Sequence, residues 1–414
     1  METRLAAFIK DTPEGAEAES ILRKCVHCGF CTATCPTYQL LGDELDGPRG
    51  RIYLIKQVLE GTAATAKTQL HLDRCLTCRS CETTCPSGVQ YGRLLDIGRG
   101  VVEQQVGRGS VDALQRAALR KVVPNAALFG ALLKLGQLAR PLLPAALKQK
   151  VPASTSPAKP WPQSHHARRM LVLEGCAQPA LSPATNAAAA RVLDRLGITL
   201  LHAPEVRGAG CCGAVSFHLS AQEEALHAMR RNIDAWWPYL EQGAEAIVIT
   251  ASGCGVMVKD YAHLLAHDVA YAEKAKCVSQ LSCDISEVII AEQEKLKALL
   301  PTAETPKLKV AFHAPCSLQH GLKKKGIVES FLTQIGFNLT PVTDEHLCCG
   351  SAGTYSILQP ELSSKLRENK ISALTRESPQ AILTANIGCQ SHLQSATTLP
   401  VRHWIEALDD LLST

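Results

Sequence analysis

No stretch of eighteen uncharged apolar residues occurs anywhere in the 414-residue chain, which argues against a membrane-spanning helix. The opening residues, METRLAAFIKDTPEGAEAES, carry acids and lack a long apolar core, so they do not read as a signal peptide. A motif for flavin or for a small-molecule substrate is also missing. Acids are nearly absent from residues 104–169, where eleven Lys or Arg face the single acid Asp112. That local charge of +10 sits in a chain of net +4. No aromatic interleaving or nucleic-acid-binding module accompanies it, which argues against a nucleic-acid partner. What remains is close to the globular average, with 46% hydrophobic and 20% charged residues, and the length allows two to three domains.

Cysteine is abundant instead, with eighteen residues. Without a sign of secretion they point to metal or redox chemistry in a reducing, cytoplasmic compartment. Two runs stand out: CVHCGFCTATCP, with Cys25, Cys28, Cys31 and Cys35, and CLTCRSCETTCP, with Cys75, Cys78, Cys81 and Cys85. Both read C-x2-C-x2-C-x3-C-P, the spacing that holds a [4Fe–4S] cluster in bacterial ferredoxins, where the fourth cysteine ligates the other cluster. Two residues between cysteines let one tight turn aim three thiolates at three irons of a cube. The expected sets are therefore Cys25, Cys28, Cys31 and Cys85 for one cluster, and Cys75, Cys78, Cys81 and Cys35 for the other. Structural zinc typically takes two ligand pairs separated by about 15 to 20 residues, and disulfides need an oxidising compartment. Neither suits four thiols packed so closely.

Between the runs, Ile52, Leu54, Ile55, Val58 and Leu59 recur at helical spacing after the breakers Gly47, Pro48 and Gly50. The long gap from Cys35 to Cys75 suits a helical two-cluster domain. Arg49 and Arg51 are expected to be solvated, or to pair with Asp43, Glu44 and Asp46; docking of a partner is the other reading. Within the basic stretch, residues 122–150 mix Leu, Ala and Val with Lys134, Arg140, Lys148 and Lys150, and Pro141 and Pro144 are expected to divide it into two short helices. Either this is a packed helix followed by a solvated Pro-rich linker, or it is an amphipathic segment on an anionic membrane surface.

From Arg169 onward, strands and helices alternate and the pattern repeats. The first copy carries Cys176, Cys211, Cys212 and Cys254; the second carries Cys316, Cys348, Cys349 and Cys389, at offsets of 140, 137, 137 and 135 residues. Each copy should be a small parallel-sheet domain, with its cysteines near the C-terminal ends of strands, where open α/β sheets bind ligands. Residues 208–213, GAGCCG, match G-x-G-x-x-G, but cysteines fill the middle positions and HLCCGSAG in the second copy lacks the pattern. The match is read as chance. Cys277 and Cys283 fall outside both patterns and are expected as buried thiols in helical connections. The fold class is thus α/β with an all-α part. A helical two-cluster domain spans 1–105 and a basic segment with linker 106–168; cysteine-rich copies span 169–300 and 305–414.

The duplicated C…CCG…C pattern resembles the cysteine-rich domain of the heterodisulfide reductases. That family adds a fifth cysteine, where this chain has Met257 and His392. Four thiols per copy still suit a further [4Fe–4S] cluster or a redox thiol site. Across nearly the full length, KCVHCGFCTATCPTYQLLGDELDGPRGRIYLIKQVLEG, LDRCLTCRSCETTCPSGVQYGRLLDIGR, LEGCAQPALSP, LCCGSAGTYS and ANIGCQSHL resemble the iron–sulfur subunits of membrane-associated 2-hydroxy-acid dehydrogenases, the glycolate oxidase family in particular. The resemblance implies two [4Fe–4S] clusters here, FAD on partner subunits that oxidise glycolate to glyoxylate, and electron transfer towards quinone. It also implies peripheral attachment at the inner membrane. The alternatives are the equivalent subunit of a glycerol-3-phosphate or lactate dehydrogenase, or a heterodisulfide-reductase-like catalytic subunit.

Overall fold

The computed structural model describes residues 1–144, 148, 151–203, 210–300 and 308–413. The chain divides into two compact units. One comprises Met1–Ala117, His218–Ser220 and His346–Lys370; the other comprises Ala118–Phe217, Ala221–Glu345 and Ile371–Thr414.

The first unit is helical around its two cysteine runs. Helix α1 (Pro13–Lys24) opens with Thr12 Oγ1 accepting from the Gly15 N–H at 3.0 Å, a proline at its start and Glu14 in its first turn. All three satisfy or complement the free donors of a helix N-terminus. Helices α2 (Pro48–Leu59) and α3 (Tyr91–Val106) complete the frame. Their inward faces bury Ile21, Leu22, Ile52, Ile55, Leu59, Leu94 and Leu95 in one core, each contributing roughly 1.5–3 kcal/mol by leaving water. Gly98 lets α3 approach α2, since a Cβ there would lie 2.6 Å from Ile55 Cγ1. Helix α4 (Ser110–Val122) starts beside Arg108, which pairs with Asp73 and with Glu103 at 2.6 Å, while Arg116 pairs with Asp112 at 2.9 Å and Asp73 at 3.3 Å.

The second unit begins with α5 (Ala126–Ala139) and then builds two parallel sheets. The first copy runs β1 (Arg168–Val172), α6 (Pro183–Arg195), β2 (Ile198–Leu201), α7 (Gln222–Glu241), β3 (Ile247–Ile249), α8 (Ser252–Lys259) and β4 (Ser282–Asp284). The second runs β5 (Lys309–His313), α9 (Ile327–Gln334), β6 (Asn338–Thr340), α10 (Pro360–Thr375), β7 (Ala381–Thr384), α11 (Ile387–Gln394), β8 (Val401–His403) and α12 (Trp404–Leu412). Strand orders β2-β1-β3-β4 and β6-β5-β7-β8 are identical, and every pairing is parallel. The last strand of each copy is unannounced in the sequence, because SCD and VRH contain no apolar run. Cys283 therefore lies on a strand rather than in a helical connection, and burial pushes its thiol up to about 12.

The two copies share one core. Met170, Val172 and Leu193 of the first pack with Val310, Phe312, Leu332, Trp404 and Leu408 of the second. Polar contacts join α6 to α12: Thr185 Oγ1 donates to Glu406 Oε1 at 2.6 Å, and Arg191 pairs with Asp409 at 2.6 Å. The proline-rich linker is also docked, against the expectation of a solvated tether. Trp161 Nε1 donates to the Leu200 carbonyl at 3.2 Å, and the His166 N–H donates to Thr199 Oγ1 at 2.7 Å. An indole half in water and half against β2 buries its apolar face while keeping its N–H partnered.

His403 ties the copies at the end of β8. Its Nε2 donates to the Thr250 carbonyl at 2.8 Å and its Nδ1 accepts from the Ile405 N–H at 3.2 Å. Burial holds this imidazole down to about 3, whereas an unfolded histidine takes a proton near 6.5. Protonation therefore favours the unfolded chain increasingly as pH falls from about 6.5 towards 3. His403→Asn should be less stable than the parent at pH 7.5 in urea unfolding followed by circular dichroism. The gap between the two should shrink between pH 6.5 and 4.5; parallel stability curves would contradict this.

Candidate metal centres

The two cysteine runs adopt the same backbone. His27 and Thr77 occupy equivalent left-handed positions (φ 55° and 53°), and so do Gly29 and Arg79 (φ 87° and 59°). Three of these four residues have a Cβ and adopt a conformation that costs about 1–2 kcal/mol per residue. Such alternation turns successive N–H groups inward, the arrangement that surrounds anionic sulfur; the Thr77 N–H points at Cys75 Sγ at 3.4 Å. A short helix, Pro36–Leu41, starts directly after Cys35, whereas in the second run the helix Ser80–Thr84 ends at Cys85. Thr84 Oγ1 donates to Thr34 Oγ1 at 3.2 Å, joining the tails of the two runs just ahead of Cys85 and Cys35.

A pocket lies at the second run, lined by Cys75, Cys78, Cys81 and, from the first run, Cys35, with Arg51 and Tyr91 on its wall. Cys25, Cys28 and Cys31 are neighbours at the first run: burial, then the charge of Cys25, pushes the Cys31 thiol up to about 11. Cys81 is raised by burial and then by Cys78 and Cys75. Crowded, half-buried thiols resist ionising together, and iron relieves that repulsion by taking the place of the protons. The donor set thus fits an all-thiolate [4Fe–4S] cluster at each run.

Copy one gathers its four cysteines at the switch point between β1 and β3, where the crossover connections diverge to opposite sides. Cys176 follows β1 after Gly175 (φ 81°), Cys254 lies in the first turn of α8, and Cys211 and Cys212 precede Gly213 (φ 91°). Cys211 is drawn well below the usual thiol range by hydrogen bonds from Cys176, then Cys212, and from the Gly213 N–H at 3.5 Å. Cys212 in turn meets Cys254. Met257, at the position of the family's fifth cysteine, is buried in the core of this copy. Only part of the GAGCCG match falls within the described residues, which resume at Gly210. In copy two, Cys316 directly precedes a π-helical turn after β5, and Cys389 lies in α11 with Asn386 Nδ2 3.4 Å from its Sγ. Cys348 and Cys349 belong to the first unit, where the Gly350 N–H points at Cys348 Sγ at 3.4 Å, repeating the turn at Cys211. His392 lies on α11. Cys277 lies in the helix Ala272–Leu281.

Residues 21–89 match the 4Fe-4S dicluster domain family, and residues 170–259 and 310–394 each match the cysteine-rich domain family. The chain is 58% identical over 412 residues to the glycolate oxidase iron-sulfur subunit of Escherichia coli K12, covering 100% of this chain and 99% of that one. It belongs to the glycolate oxidase iron–sulfur subunit family. A probable glycolate oxidase iron-sulfur subunit of Bacillus subtilis is 29% identical over 90% of the chain and 88% of its own length. Lactate utilization protein A of Bacillus licheniformis is 26% identical over 49% of the chain and 80% of its own. Membership extends across both cluster runs and both copies.

Arg51 pairs with Asp46 at 3.3 Å and Arg49 with Glu44 at 2.6 Å, the paired alternative of the sequence reading. The burial of Arg51 and Asp46, 1% and 0% exposed, had no signal in the sequence. Tyr355 donates its hydroxyl to the Arg74 carbonyl at 3.1 Å, and its phenol is raised by burial and then by Cys75, with Cys348 also contributing. That tyrosine therefore lies near both the second run and the CCG turn at 348–350. A long-range contact of this kind has no local pattern to betray it. The cavity lining predicts that Cys35→Ser damages the cluster of the second run, and the ferredoxin spacing predicts that Cys85→Ser damages that of the first. EPR of each reduced variant reads this; the opposite pairing of losses would refute the crossed sets.

Proposed function

We propose that this chain is the electron-transfer subunit of a flavin-dependent glycolate dehydrogenase, accepting electrons from an FAD-bearing partner and passing them towards quinone. The observation that carries the reading is the interleaving of the two runs, with Cys35 in the wall of the Cys75–Cys78–Cys81 cavity. Shared in this way, Cys25, Cys28, Cys31 and Cys85 hold one cluster and Cys75, Cys78, Cys81 and Cys35 the other. Bound clusters supply reversible one-electron carriage. The protein contributes the thiolates, the inward N–H groups and a low-polarity surround. Substrate chemistry belongs to the flavoprotein.

The four thiols of copy one form a third cluster-binding set in this reading, with Cys211 already favouring its thiolate. Copy two carries its own four cysteines in the sequence, Cys316, Cys348, Cys349 and Cys389. The missing fifth cysteine argues against disulfide reduction at either.

Attachment is peripheral, at the cytoplasmic face of the inner membrane. No single helix among the described residues is long and apolar enough to cross a membrane. Along α5 and the turn after it, Leu128, Leu132, Leu135, Leu138 and Leu142 are 40, 43, 61, 81 and 89% exposed. Such an apolar stripe suits shallow insertion at an interface. The electrostatic contribution is smaller than the sequence count suggests. Arg108 and Arg116 are held by Asp73, Glu103 and Asp112; Lys159 pairs with Asp410, and Arg168 with Glu245 and Glu292. Lys134 remains exposed, and Lys150 lies outside the described residues.

Purified anaerobically alone, the chain should not oxidise glycolate with an artificial acceptor, and the FAD-bearing partner should restore turnover. Activity of the isolated chain would overturn the reading. Replacing Leu135, Leu138 and Leu142 with Asn should reduce co-sedimentation with anionic vesicles several-fold without loss of iron. Undiminished binding would place the attachment elsewhere.

A further inference from the structure

Both cluster sites have a cation beside them, but they differ in burial: the Met1 ammonium, which donates to the Cys25 carbonyl at 3.1 Å, is only partly buried. Arg49, beside the first run, donates to the His27 carbonyl at 3.4 Å, but its guanidinium is 35% exposed and paired with Glu44. Arg51 lies in the wall of the second cavity with 1% exposure. Its Nε donates to the His71 carbonyl at 2.7 Å, one terminal nitrogen to Thr37 Oγ1 at 3.1 Å, and the other to Asp46 Oδ1 at 3.3 Å. Thr37 Oγ1 is itself 3.3 Å from Cys35 Sγ. Cys75 and Cys35 are the sulfurs whose charge the guanidinium feels most.

Asp46 does not cancel this cation. The same carboxylate receives Arg74 at 2.8 Å and lies 3.1 Å from His71 Nδ1. Two guanidinium groups share one carboxylate, so the group carries a net charge of at least +1 whatever the state of His71. Its burial keeps it poorly screened by salt or water. A fixed positive charge favours whichever oxidation state is more negative, and net charge is among the determinants of iron–sulfur potentials.

We propose that the Arg51–Asp46–Arg74 group orders the two clusters, holding the one bound by Cys75, Cys78, Cys81 and Cys35 at the higher reduction potential. One electron then leaves the cluster of the first run, which is oxidised, and enters that of the second, which is reduced. No bond or proton changes place. The electron settles on the side where Tyr355 lies near both Cys75 and Cys348. Arg51 and Arg74 are positioning residues here, acting through charge. The inference rests on the two-cluster reading above.

The test is an anaerobic redox titration of the whole chain followed by EPR, with iron content measured for each variant. Arg51→Gln should lower the potential of one cluster relative to the other, moving the electron between them by at least tenfold, or 59 mV for a one-electron couple. Arg51→Lys should restore most of the difference. Asp46→Asn removes the negative charge and should move the same cluster in the opposite direction. If Arg51→Gln loses iron, Arg74→Gln, at a partly exposed site, makes the same change of charge. Equal shifts of both clusters, or unmoved potentials with full iron content, would overturn the proposal. So would Asp46→Asn shifting in the same direction as Arg51→Gln. A parent protein without two [4Fe–4S] signals would instead overturn the two-cluster reading.

Discussion

A buried guanidinium beside a cluster of thiolates is the interaction on which the N-terminal unit depends. Desolvating Arg51 is unfavourable unless its donors find partners, and the chain supplies three acceptors from two separate segments. Asp46 and Thr37 come from the stretch after the first run, the His71 carbonyl from the helix before the second, and Arg51 itself from α2. The same contacts that remove the desolvation penalty fix the distance between the runs. Structural specificity and cluster electrostatics thus arise from one group of side chains.

Around that group, local rules and long-range packing divide the work. The cysteine spacing and the left-handed residues shape each run on its own. Cys35 meets the second run in a pocket that Arg51 of α2 and Tyr91 of α3 also line. In the C-terminal region a duplicated strand order places both pairs β1/β3 and β5/β7 with their cysteines just beyond the strand ends. There the sheet supplies a fixed platform, and loops and the first turns of α8 and α11 supply the thiols.

Much of this was legible before any coordinates. The eight N-terminal cysteines, the helix at Ile52–Leu59, the repeat and its fold class all follow from spacing and periodicity, which are local signals. Strands β4 and β8 were not legible, because three-residue strands containing Asp, Arg or His carry no apolar period. Nor was the core shared by the two copies, whose contacts join Met170 to residues more than a hundred positions away. Trp161 read as part of a solvated linker, since nothing in its neighbours announces the carbonyl it reaches. Arg51 is the sharpest case: on a helix of otherwise ordinary pattern, its neighbours Asp43, Glu44 and Asp46 suggested a surface ion pair, and only the fold turns that face inward.

The central claim is that two clusters lie side by side because the runs exchange their fourth cysteines. The most direct measurement is EPR of the fully reduced chain. Two neighbouring paramagnetic clusters should give a broadened, split spectrum that integrates to two spins from the N-terminal unit and relaxes faster than an isolated centre. Two unsplit signals that simply add, or a single spin with half the iron, would contradict the interleaved arrangement.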